Sequence, residues 1–160
     1  MSSRPDLRYE KRRAEAVVTL LGGETVRGWF FVAAGSLLHA GAERVGDLLN
    51  AEMGFFPFEL HDSGGRTVLY NRPHVISVRV FEEEARDESG YSVAPREQVT
   101  VHLTDGRRVT GGVRIYRPEG RDRLSDWARQ PESFRYIESD EATLIVNAAH
   151  IVAVHEVPGS

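Results

Sequence analysis

The chain has 160 residues, 41% of them hydrophobic and 28% charged, with a formal net charge of −4 and no cysteine. That is the composition of an ordinary globular chain, one domain or two small ones. It excludes disulfides, thiolate chemistry and cysteine-ligated zinc, gives no bulk pull toward nucleic acid or an anionic membrane, and leaves no apolar run near the roughly 20 residues that span a bilayer.

Residues 1–15 contain "RPDLRYEKRR" (4–13) and no apolar core. They read as a disordered basic arm, not a secretory signal, and a cytoplasmic location is expected. Lys11 is the only lysine among 20 basic residues, and arginine-rich coding of this kind points to a GC-rich bacterial genome. Next, "VTLLGGETVRG" (18–28) alternates around Gly22-Gly23, a strand–turn–strand pattern. The apolar run "WFFVAAGSLLHAGAE" (29–43) follows, then a short helical piece at 44–50. Phe55–Leu60 and Val68–Asn71 read as third and fourth strands. "NRPH" (71–74) is a one-turn connector, since asparagine tolerates turn geometry and bonds nearby backbone. A fifth strand starts from His74. Residues 82–96 are acidic, with Gly90 and Pro95, and read as a linker.

The pattern then repeats. "VTVHL" (99–103) and "RRVTGGVRI" (107–115) flank Asp105-Gly106, a signal for a two-residue hairpin with positive φ at both positions. Gly28 and Gly111 suggest a sharp bend or bulge in the second strand, as small barrels need. A helical piece at 123–129, strands at 134–138 and 144–147, and a final strand from His150 complete the set. Val18, Leu20, Gly23, Val26 and Gly28 fall on Val101, Leu103, Gly106, Val109 and Gly111 at an offset of 83. Arg44, Asp47 and Phe55 fall on Arg123, Asp126 and Phe134 at 79, and "NRPHVISV" (71–78) falls on "NAAHIVAV" (147–154) at 76. The order never breaks, so the chain holds two copies of one unit. The expected organisation is a mainly β chain: arm 1–15, first small barrel 16–81, linker 82–96 and second small barrel 97–157. Each barrel would have five strands and a short helical insert.

"VTVHLTDGRRVTGGV" and "LIVNAAHIVAVHEVP" resemble the first hairpin and last two strands of Sm-like and SH3-like small barrels. The whole unit also resembles bacterial domains of unknown function that occur singly or in tandem. The Sm-like resemblance implies RNA binding at the loop before the fifth strand. By position that loop is Asn71, Arg72 and His74 in the first copy, and Asn147 and His150 in the second. It also implies rings of six barrels, hence three tandem chains.

No phosphate-binding loop, nucleophile–base set or metal motif is present, so no enzymatic activity, cofactor or metal is expected. Arg44/Asp47 and Arg123/Asp126 are spaced for ion pairs on one helical turn. The two copies differ most in the apolar run of the first. Trp29, Phe31, Leu37 and Leu38 there are the candidate anchors for a protein partner or for self-association. The leading expectation is a non-enzymatic interaction or assembly module that uses this run and its sheet edges. The alternative is a ring-forming RNA binder.

Overall fold

The computed structural model describes residues 11–33, 43–62, 64–81, 96–114, 123–139 and 142–158. The first strand, β1 (Lys11–Leu20), buries Ala14, Ala16 and Val18 along one face. It takes in the last five residues of the expected arm. Arg13 and Glu15 carry charge outward while Ala14 and Ala16 beside them face the core, so alternation outweighs local charge. Residues 1–10 lie outside the described residues, as do 82–95 of the expected linker; Arg96 belongs to a strand.

β1 turns into β2 (Thr25–Ala33) through Leu21-Gly22-Gly23. Leu20 N–H donates to Glu24 O, Gly23 N–H donates to Leu20 O, and Gly23 sits at φ 92°. β6 (Arg96–Leu103) and β7 (Arg108–Arg114) repeat this loop as Thr104-Asp105-Gly106, with Gly106 at φ 90°. Both are therefore three-residue loops closed by a left-handed glycine, not the two-residue turn expected from Asp-Gly.

A short helix follows the second strand of each copy, α1 (Val45–Ala51) and α2 (Arg123–Ala128). Helices this short are unstable alone. α1 is held by burying Val45 and Leu49, and it starts where Arg44 N–H meets Asp47 Oδ2 at 3.0 Å. The first copy continues with β3 (Phe55–Leu60), β4 (Thr67–Asn71), a one-turn 3-10 helix (Arg72–His74) and β5 (Val75–Val80). The second continues with β8 (Phe134–Glu138), β9 (Thr143–Asn147), a one-turn 3-10 helix (Ala148–His150) and β10 (Ile151–Glu156). A β-carbon on Gly28 would lie 2.0 Å from Glu59 O, and one on Gly111 2.5 Å from Glu138 O. The glycines thus allow a close backbone approach to the third strand of each copy.

All ten strands form one antiparallel sheet in the order β10-β6-β7-β8-β9-β5-β1-β2-β3-β4. The expected mainly β chain is present, but two closed barrels are not what the pairing shows. Each five-strand set is open, and β5 of the first copy pairs with β9 of the second. Two apolar cores flank that junction, one dominated by each copy.

Candidate functional site

The β5–β9 junction is more than a ladder. Ser77, Val78, Arg79 and Val80 stand opposite Val146, Ile145, Leu144 and Thr143. Phe134 and Ile145 of the second copy pack into the core of the first, and Ile76 of the first packs into the core of the second. Ile76 is redirected by an irregularity in the β1–β5 register, where Thr19 meets Ser77 but Leu20 meets Val75. The junction residues that exchange cores are fully enclosed: Phe134 is 3% exposed, Ile145 and Ile76 0%.

Polar contacts fix the same junction. Gly46 N–H donates to Tyr136 Oη at 3.0 Å. The Asn50 amide donates to Phe134 O at 2.9 Å and accepts from Phe134 N–H at 2.8 Å, as a neighbouring strand would. Arg107 Nη2 donates to Ser77 Oγ at 2.7 Å. The two Asn-x-x-His turns also meet. Asn147 Oδ1 accepts from Ala149 N–H in its own turn, while its Nδ2 donates to Val75 O at 2.9 Å and to Arg72 O at 3.4 Å in the other. His150 Nε2 donates to Pro73 O at 2.6 Å. A cleft of about 390 Å³ lies beside these turns, lined by Leu49, Met53, Arg72, Ser133 and Asn147 among others.

No family model, characterised protein or solved structure matches the chain. The site must therefore be read from its own chemistry. Among the described residues no three His, Asp or Glu side chains group as metal ligands. No described helix is long and apolar enough to cross a membrane.

The residues singled out from the sequence are distributed as follows. Asn147 and His150 sit at the junction. Asn71, the counterpart of Asn147, ends β4 at the free side of the sheet, and His74, the counterpart of His150, ends the one-turn helix that leads into β5. Asn71 makes no bond to its own turn, because Pro73 has no N–H to offer. Arg72 is 6% exposed, and its guanidinium donates to the carbonyls of Leu48, Leu49, Gly54 and Phe55. Burial pulls its pKa below the ordinary arginine value, against the opposing pull of Glu52. A phosphate would have to displace four carbonyls to reach it, so this cation holds the end of α1. Trp29 and Phe31 are half-buried on the outward face of β2, and Trp29 is sandwiched by Arg13 and His61. Leu37 and Leu38 lie outside the described residues.

Of the two arginine–aspartate pairs, the first is formed, and the second falls outside the described residues at the Arg123 side chain. Arg44 Nε lies 3.1 Å from Asp47 Oδ2. Asp126 is buried, and its Oδ2 has no hydrogen-bond partner among the described residues.

Sequence reasoning missed Phe134, Ile145 and Ile76 as junction residues. A signal was present: "VIS" in β5 and "LIV" in β9 are apolar on both faces, as in strands covered on both sides. The two outer strands carry the same signal. "TVLY" in β4 and "IVAV" in β10 are also apolar on successive positions, yet among the described residues β4 bonds only to β3 and β10 only to β6.

Proposed function

We propose that the chain is a non-enzymatic assembly module whose contact surfaces are the two outer strands, β4 and β10. One observation carries this reading. The apolar residues exposed on β10, on β4 and on β3 beside it are the repeat counterparts of residues enclosed at the junction. Phe55 is 59% exposed against 3% for Phe134, Leu69 62% against 0% for Ile145, and Val152 67% against 0% for Ile76. Exposed apolar strands with unpaired backbone groups are templates for a further strand. Each exposed side chain would gain about 1.5–3 kcal/mol on full burial.

The five strands of each copy share one order, with a one-turn helix before the last strand. This supports reading each as an open small barrel of Sm-like or SH3-like type. The same comparison leaves the RNA-binding alternative without its cation, since Arg72 is engaged with α1. The assembly reading is tested by the native mass of the tagged chain in a lysate of its own host. Association is expected to be lost in Leu69→Asp and in Val152→Asp, and kept in Phe81→Asp, a substitution at another exposed apolar position. A native mass equal to the lone chain before any substitution would overturn it.

A further inference from the structure

The edges say what covers them. We infer that the occupant of each free edge is a second copy of this chain, joined head to tail, with β10 of one copy added antiparallel to β4 of the next. This inference rests on the assembly reading and specifies its partner. The warrant is continuity with the interface inside the chain. That interface joins the last strand of one repeat to the fourth strand of another, and β10 and β4 are again a last strand and a fourth strand, each with one edge free among the described residues.

Shifting the internal register by the repeat offset of 76 gives the intermolecular one. Ser77 opposite Val146 becomes Ala153 opposite Tyr70, and Val78 opposite Ile145 becomes Val154 opposite Leu69. His155 then faces Val68, and Glu156 faces Thr67. The β10 register carries the same irregularity as β5: Leu103 meets Ile151 and His102 meets Ala153, so Val152 is the residue skipped, as Ile76 is in the first repeat. Val152 of one copy therefore enters the first core of the next, and Phe55 and Leu69 of that next copy enter the second core of the first. The Asn-x-x-His turn repeats its clamp. The Asn71 amide, without a bond in its own turn, donates to Ala148 O and Ile151 O of the neighbour, and His74 donates to Ala149 O.

The helix contacts do not carry over. Asn50, Gly46 and Tyr136 are matched by Arg129, Ser125 and Pro57. Proline and arginine cannot repeat the bonds that tie α1 to β8. The contact between copies is thus weaker than the one inside the chain and dissociates on dilution. It is also heterologous, so it propagates to a closed ring or an open filament.

The test mixes two blocked chains. Leu69→Asp disables β4 and Val152→Asp disables β10. Both positions are exposed, and unchanged thermal unfolding checks that each variant folds. Light scattering of the purified wild type is expected to show multimers that dissociate on dilution. Each variant alone is expected to be a monomer, and the mixture a one-to-one dimer and nothing larger. A dimer of either variant alone means like edges pair, which overturns the head-to-tail contact. The chain has no cysteine, so a Leu69→Cys, Val154→Cys chain tests the register. It is expected to form intermolecular disulfides on oxidation, and a Leu69→Cys, His155→Cys chain is not. Equal cross-linking of the two would overturn the register. If the purified wild type is a monomer at every concentration while its mass in host lysate is larger and edge-dependent, self-assembly falls and the assembly reading stands with a different partner.

Discussion

In the first repeat the carbonyls that end α1 are met by Arg72, reaching in from the one-turn helix before β5. In the second, the carbonyls of Trp127, Ala128 and Gln130 at the end of α2 are met by Arg135, reaching across from β8. The repeat counterpart of Arg72 is Ala148, and that of Arg135 is Phe56. Two copies of one unit thus meet one requirement, donors for the last carbonyls of a short helix, from two places in the chain. The requirement is inherited and the residue is not. A functional role assigned to Arg72 by its position in a loop therefore misses what the side chain does.

The contrast between repeats can be broken most severely at the junction. Phe134→Ala is expected to cost about 3–5 kcal/mol, because the ring lies in the core of the other repeat. Phe55→Ala at the matching free position is expected to stay within about 0.5 kcal/mol under monomeric conditions. Urea unfolding of the two variants side by side measures the difference.

The two arginines come next. Arg72→Met leaves α1 carbonyls without donors, at about 1–3 kcal/mol for each that water cannot reach. Arg135 is less enclosed, so Arg135→Met is expected to cost less by the same assay. A larger loss at Arg135 would reverse the order of burial as the deciding term.

A smaller effect separates the two asparagines. Asn147→Ala removes bonds that cross the junction and is expected to cost about 1 kcal/mol. Asn71→Ala is expected to leave unfolding unchanged at low concentration and to weaken association only, readable as a shift in the dilution at which multimers dissociate.

The smallest effect concerns acid. Burial raises the pKa of Asp105, but the Arg107 backbone N–H, side chain and charge outweigh it and hold the carboxyl below its ordinary value. Its folded value is the lower one, so its stabilisation is present above the unfolded carboxylate range and is lost as pH falls through the folded value. Asp105→Asn is expected to flatten the fall in stability between about pH 5 and pH 3. The matching residue in the first repeat is Gly22, so the first hairpin contributes nothing of this kind.

Much of the local structure was legible in the chain. β3 and β8 run over Phe55–Leu60 and Phe134–Glu138, the spans their flanking turns and alternation imply. The Asn-x-x-His connectors are the one-turn helices before β5 and β10. The hairpin loops were misjudged by one residue, because Asp-Gly and Gly-Gly suit a left-handed glycine in either turn type. The start of β1 was hidden by its charges. The junction was legible only as apolar runs in β5 and β9, since their pairing joins segments about 65 residues apart and depends on which repeat each strand chooses. The apolar run at both outer strands carried the missing information, but only the sheet order shows that those strands are edges.

The distance between junction partners also has a consequence for synthesis. β5 is complete at Val80, whereas β9 ends at Asn147. At about 5–20 residues per second, the ribosome leaves β5 without its partner for several seconds. During that time the first core lacks Phe134 and Ile145. Slow elongation between the repeats therefore lengthens the time in which the first repeat holds an open edge at β5 and an incomplete core.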